Sequence, residues 1–217
     1  MERAFWESRY ATGETRFDLG APNPILLEAL ATWPELIATG PRPIAMVPGC
    51  GRGWDVVELA RRGFAALGVD FVPAAIRDAE RIARDAGVSE RARFLAADLF
   101  ALPEAELRGL EDAGAAGADS PRGAVDFWWE CACYCAIDPA RRDEYSRLAA
   151  RLIRPGGALV FDVFPVDGRA GGPPFAIDPA QLAAAFPAFS LVSLTEPVRP
   201  SSPRRAGLEK LALLRRR

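Results

Sequence analysis

The chain has 217 residues, half of them apolar, and a formal net charge of −2 from 27 Lys and Arg against 29 Asp and Glu, a length and composition suited to one domain, residues 1–217, around one continuous core. Its longest apolar stretches, such as Ile44 to Pro48 and Ala158 to Pro165, fall far short of the ~20 residues a bilayer-spanning helix needs, and the N-terminus lacks a basic-then-apolar signal. With no general attraction for phosphate backbones and a basic cluster only at Arg215 to Arg217, the chain reads as a cytoplasmic monomer that works on a small molecule, with no nucleic-acid and no membrane partner.

Short β-branched runs alternate with helical periods along the chain. A helix is expected from about Pro24 to Trp33, a strand at Ile44 to Val47, a helix from Trp54 to Arg62, a strand from Ala65 to Val69, and a helix from Pro73 to Ala86 closed by Gly87. Further strands fall near Ala92 to Leu95, Val125 to Trp129 and Ala158 to Phe164. Between the last two, Asp138-Pro139 supplies an N-cap and a first-turn proline for a helix that stops at Pro155-Gly156-Gly157, and Asp178-Pro179 repeats the start signal. Strands near Phe189 to Thr195 and Leu208 to Leu213 would pair as a hairpin at a sheet edge. This is the order of an α/β fold: a doubly wound, seven-stranded, mostly parallel Rossmann-like sheet with an antiparallel C-terminal hairpin strand. Residues 111–123, rich in Ala, Gly, Asp and Pro, read as a flexible connecting loop. Cys131, Cys133 and Cys135 have a spacing that would set all three on one face of a strand and matches no common zinc pattern. They read as buried thiols, and no metal is expected.

The first strand runs into Val47-Pro48-Gly49-Cys50-Gly51-Arg52-Gly53-Trp54-Asp55, a glycine-rich turn opening a helix, which is where an α/β sheet holds a nucleotide-like ligand. Gly49, Gly51 and Gly53 let the backbone turn tightly and approach that ligand. Asp70 closes the second strand, placed to accept hydrogen bonds from both ribose hydroxyls; its plainer reading is a strand-end or helix-cap acid. Asp98 follows the third strand, where an acid can take an adenine amino group, or can simply turn the chain. Phe71 and Leu99, the residues after these acids, join the cofactor-binding set. A dinucleotide fold needs a third glycine one residue after Gly53, and that position is Trp54, so S-adenosylmethionine is favoured over a nicotinamide or flavin dinucleotide.

Several strings then carry a resemblance: Phe5-Trp6-Glu7, Gly13-Glu14-Thr15-Arg16-Phe17-Asp18-Leu19-Gly20, Cys135-Ala136-Ile137-Asp138-Pro139, Phe164-Pro165, Gly171-Gly172-Pro173-Pro174-Phe175 and Gly207-Leu208-Glu209-Lys210-Leu211. With the glycine turn they make the chain similar, over nearly its whole length, to the thiopurine S-methyltransferase superfamily, halide and thiol methyltransferases included. The resemblance implies that residues 1–23 fold over the cofactor as a lid, with Trp6 and Phe17 near the sulfonium and Leu19 beside the methionine end. The family usually has tryptophan where Phe17 stands, a better cation partner than phenylalanine. It also implies that Glu130 holds the cofactor's amino group and that Phe164 borders the acceptor pocket. No Asn-Pro-Pro-Tyr-type motif follows the fourth strand and no Pro-Cys pair occurs.

Histidine is absent, which removes the usual neutral-pH general base and the Ser-His and Cys-His nucleophile systems together. Methyl transfer from a sulfonium to a soft anion needs no base: opposite charges neutralise in an in-line displacement, which a tight, dry pocket favours. Phe164, Tyr134, Phe175, Trp128 and Trp129 could line such a pocket, although a core role stands equally open for each, and period-2 alternation turns only one of the two tryptophans inward. Two other functions remain: methylation of a hydroxyl or metalloid with Asp167, Glu130 or Tyr134 as base, and a non-catalytic S-adenosylmethionine sensor.

Overall fold

The computed structural model describes residues 3–37, 43–102 and 125–217; the expected loop at 111–123 lies outside them. The parallel strands are β1 (Ile44–Pro48), β2 (Ala65–Asp70), β3 (Ala92–Ala96), β4 (Val125–Cys131) and β5 (Ile153–Val163). β7 (Lys210–Arg216) lies antiparallel between β5 and the edge strand β6 (Phe189–Thr195), which gives the sheet order β3-β2-β1-β4-β5-β7-β6. The doubly wound α/β reading is therefore the fold of the chain.

Helices α2 (Pro24–Thr32), α3 (Trp54–Arg61), α4 (Pro73–Asp85) and α5 (Arg142–Leu152) cover the sheet, and both of its faces are buried. Consecutive residues of β4 show the consequence. Phe127 and Trp129 belong to the core on one side, Trp128 to the core on the other, and all three are fully buried. The expectation that only one tryptophan faces inward fails because each face has its own core. Both indole N–H groups then need an acceptor: Trp128 donates to the Tyr145 hydroxyl at 2.9 Å and Trp129 to Asp55 Oδ2 at 2.8 Å.

Three local readings are corrected. The string Pro155-Gly156-Gly157 does not separate helix from strand; α5 ends at Leu152 and β5 begins at Ile153. The glycines sit beside a register shift between Val125 and Phe127, and a Cβ on Gly157 would stand 2.6 Å from Ile153 Cγ2 and 3.0 Å from the Val125 carbonyl, so the string makes an irregular strand start. Asp138 and Asp178 do cap turns, accepting from the N–H of Ala140 and Ala180 at 2.9 Å each, but the turns are short 3-10 segments preceding α5 and α6 (Leu182–Ala185). Only Cys131 of the cysteine triplet is on the strand; Cys133 and Cys135 follow in a 3-10 turn after Ala132, whose φ is +60°. Ahead of all this, α1 (Arg3–Thr12) was not foreseen: it buries no residue fully, so it carries no apolar stripe to read.

Candidate active site

The carboxyl ends of β1, β2 and β4 open into two adjoining clefts, about 1000 and 800 Å³ with their solvent-open mouths included, that share Gly49, Asp70 and Phe71 in their walls. That is the ligand position of an open parallel sheet. Gly49, Gly51 and Gly53 all have φ between +52° and +75°, a region an L side chain enters at a cost. The turn is held by Cys50 N–H to the Val69 carbonyl at 3.1 Å and by Gly51 N–H to Asp70 Oδ2 at 3.0 Å, while Asp70 Oδ1 accepts the Val72 N–H at 2.9 Å. Asp70 thus ties the glycine turn to the start of α4, and its burial raises its pKa above the ordinary carboxylate value.

The N-terminal segment closes over the larger cleft. Trp6 and Tyr10 pack edge-on against Phe17 at centroid distances of 5.3 and 5.7 Å, and all three line the cleft together with Leu19. Asp18 fastens the segment down. It pairs with Arg52, whose Nε also reaches Asp78 at 3.0 Å, and it accepts the Trp54 indole N–H at 3.1 Å. Trp54, which in a dinucleotide fold would be glycine, therefore has a structural partner.

The opposite wall was not anticipated. Asp55 accepts the Asn23 N–H at 2.7 Å besides the Trp129 indole, and burial pushes its pKa up to about 6. Asn23 caps α2 through Ile25 N–H and donates to Cys131 Sγ at 3.1 Å. Ala132, in its left-handed conformation, and Arg205 complete this wall. An alanine at positive φ is a strained backbone position, of the kind concentrated at ligand sites. Arg205 arrives from the 3-10 turn Pro203–Arg205 and stacks on Phe164, 4.2 Å from the ring centroid.

The smaller cleft is lined by Asp98, Leu99, Phe100 and Arg141. Asp98 Oδ1 accepts the Phe100 N–H at 2.9 Å, and Arg141 lies 4.1 Å from the Phe100 ring centroid. Of the residues singled out in the sequence, Trp6, Phe17, Leu19, Gly49, Gly51, Asp70, Phe71, Asp98 and Leu99 line the clefts, while Gly53 is buried.

Four others do not. Glu130 is fully buried and spends its carboxylate on the Cys133 N–H (2.9 Å), the Tyr134 N–H (2.7 Å) and the Tyr145 hydroxyl; it lines neither cleft, and burial raises its pKa to about 7. Tyr134 is buried among Tyr145, Phe161 and Phe186, with its pKa raised by burial, which suits a core residue and not a base. Asp167 is exposed, bound twice by Arg169, and its pKa is lowered by that partner, so it too is misplaced as a base. Phe164 lies against Arg205 and lines neither cleft itself. Phe175, Trp128 and Trp129 also stand off both clefts.

A glycine turn after β1, an acid ending β2 and a second acid after β3 on this sheet define a nucleoside-binding α/β enzyme of the methyltransferase type. The family model of thiopurine S-methyltransferase (TPMT) matches residues 1–207; the chain belongs to that family and is an S-adenosylmethionine-dependent methyltransferase. It is 29% identical over 213 residues to probable thiol methyltransferase 2 of Arabidopsis thaliana, covering 95% of this chain and 82% of that protein. To the thiopurine S-methyltransferase of Pseudomonas entomophila it is 30% identical over 203 residues, covering 86% and 83%. Among solved structures, Burkholderia thailandensis 1,6-didemethyltoxoflavin-N1-methyltransferase with bound 1,6-didemethyltoxoflavin and S-adenosylhomocysteine overlays with a TM-score of 0.67 at 21% identity, over 99% of this chain and 86% of that one. That last likeness bears on the fold.

Proposed function

We propose that the larger cleft methylates a small, soft, anionic nucleophile: a thiolate, a thiopurine or a halide ion. The observation that carries this reading is Arg205. Of the two arginines that line the cleft among the described residues, Arg52 is committed to Asp18 and Asp78, whereas Arg205 approaches its carboxylates only at 3.4 and 3.7 Å and stands in a wall of thiols and alanines.

The residues fit S-adenosylmethionine. Gly51 has φ +52°, a backbone angle that favours glycine, and its bare backbone lies close under the Tyr10 hydroxyl, 2.9 Å from where a Cβ would stand. Asp70 would hold the ribose hydroxyls, and Asp98, with Phe71 and Leu99, the adenine. Trp6 and Phe17 would face the sulfonium. The amino-group role the family resemblance implied for Glu130 passes to Asp55, which lines the cleft. When bound, the cofactor supplies an electrophilic methyl group on a sulfonium. The chain's own part is to orient the acceptor at Arg205 and to exclude water beneath the aromatic segment. We further propose that the enzyme acts as a cytoplasmic monomer; its four unpaired cysteines suit a reducing compartment, and no helix among the described residues is long and apolar enough to cross a membrane.

Incubation with S-adenosylmethionine and a panel of iodide, bisulfide, thiocyanate, thiophenols and thiopurines tests the acceptor. The rate at saturating iodide is expected to stay nearly flat between about pH 6 and 9, because iodide brings no proton to remove. A steep inflection near pH 7 at saturation would replace this reading with a base-dependent one.

The lid makes a separate prediction. A segment that closes over a ligand must open for exchange, and here Asp18, Arg52 and the aromatic trio are its fastenings. Limited proteolysis within residues 3–20 is expected to slow several-fold when S-adenosylhomocysteine is added. Equal cleavage rates with and without it would show that the segment is a fixed wall.

A further inference from the structure

Behind the acceptor wall lies a buried polar cluster. Asp162, on β5 and 1% exposed, accepts from Asn23 Nδ2 at 3.3 Å and from the Cys131 thiol at 3.7 Å, both through Oδ2; the same oxygen lies 3.7 Å from Arg205 Nη1. Its Oδ1 is buried with no hydrogen-bond partner among the described residues. Glu209, also 1% exposed, accepts the Ser201 N–H at 2.8 Å and the Ser201 hydroxyl, and its Oε1 lies 3.4 Å from Arg205 Nη1. Two carboxylates therefore converge on one nitrogen of one guanidinium. Among the described residues Arg205 Nε and Nη2 make no hydrogen bond, although Arg205 lines the cleft.

We propose that Asp162 is a positioning residue of the acceptor site: its carboxyl carries a proton while an anion occupies the cleft, and so leaves the Arg205 guanidinium to hold that anion. The inference rests on the reading of the cleft as an anion acceptor site. With both carboxylates ionised the cluster is net negative and repels an incoming anion. With one proton aboard it is neutral. A carboxylate with one oxygen bare and buried is costly to ionise on geometry alone. The groups that face Asp162 are Glu209 ahead of β7, Arg205 in its turn, Asn23 at the α2 cap and Cys131 at the end of β4, with Asp55 of α3 one step further, beside Cys131. Burial first, and then the Glu209 charge, push Asp162 up to about 7, against the opposing pull of Arg205. The sign follows: below about pH 7 the proton is present and the anion binds well, and above it the proton leaves and anion binding weakens. At saturation the effect disappears, so it belongs to KM and leaves kcat level.

The test is calorimetry of thiocyanate binding to the protein saturated with S-adenosylhomocysteine, between pH 6 and 8.5, in two buffers of different ionisation enthalpy. Thiocyanate is expected to bind about tenfold more weakly at the alkaline end, the scale of a charge-charge repulsion across the cluster at a protein-like dielectric, and to bring proton uptake near pH 7. Asp162→Asn, which is permanently neutral, is expected to bind thiocyanate without proton uptake and with a pH-independent constant. Glu209→Gln is expected to move the midpoint to lower pH, and it keeps the test decisive should the Asp162 variant fail to fold. Wild-type binding that is flat with pH and free of proton uptake overturns the inference, as does absence of thiocyanate binding, or an Asn variant that keeps the wild-type slope. The acceptor panel separates the two readings. Iodide turnover with proton-free binding leaves the proposed function standing and removes Asp162 from it; proton-linked binding without turnover of any soft anion does the reverse.

Discussion

Asp70→Ala is expected to weaken S-adenosylhomocysteine binding by about 1.5 to 3 kcal/mol, roughly 10- to 150-fold, the range for hydrogen bonds to a charged group, and the structure adds a reason for the loss to fall at the upper end. The two Asp70 oxygens accept the N–H groups of Gly51 and Val72, so alanine removes the proposed ribose partner and also unties the glycine turn from α4. Among the described residues the Asp98 side chain accepts one local turn N–H, and Asp98→Ala should cost less than Asp70→Ala. Calorimetry on both variants, with a melting curve for each, decides the matter. A folded Asp70→Ala protein with wild-type affinity would place the ribose elsewhere.

Gly53→Ala is expected to lower stability by about 2 to 4 kcal/mol, combining a left-handed backbone angle with overpacking. Gly53 has φ +75°, and a Cβ there would stand 2.6 Å from Phe94 Cε1 and 2.8 Å from Ala79 Cβ. Phe94 belongs to β3 and Ala79 to α4, so a methyl group at the head of α3 would press on two neighbouring elements. For a chain of this size the fall in Tm is about 5 to 12 °C, at a few degrees per kcal/mol. A drop under about 2 °C would mean that the Phe94 ring swings aside. This glycine acts by packing, which the sequence pattern could not distinguish from contact with the cofactor.

The difference marks what sequence reasoning could reach. Strand positions and the glycine turn were legible because they depend on local periodicity and on residues with special backbone freedom. Asp70 and Asp98 followed, since a strand end is a fixed place in an α/β sheet. Arg205, Asp55 and Asn23 were not legible: they reach the larger cleft from a turn ahead of β7, from the first turn of α3 and from the cap of α2, and no spacing in one dimension records that convergence. Glu130 misled for the opposite reason. It is a strand-end acid like Asp70, but the chain folds back on itself at Ala132 and the carboxylate is consumed by the N–H groups of that turn. The N-terminal aromatics were found only through family likeness, because a half-exposed helix such as α1 leaves no hydrophobic stripe.

Cys50, Cys131 and Cys133 line the same cleft that would hold a methyl donor and a soft nucleophile, so an alkylating agent bound there would lie among the protein's own sulfur atoms. The reactive species is the thiolate and not the thiol. Burial pushes all three pKa values well above the ordinary thiol range, and a neighbouring carboxylate adds to the rise: Asp70 for Cys50, Glu130 for Cys133, and for Cys131 Asp162 while it is ionised and Asp55 once Asp162 has taken its proton. The three thiols are thereby held in their protonated form, and an acceptor that arrives already charged meets no thiolate competitor among them. Protection from suicide by self-alkylation is then a matter of charge state, and the cleft can keep its cysteines without becoming its own substrate.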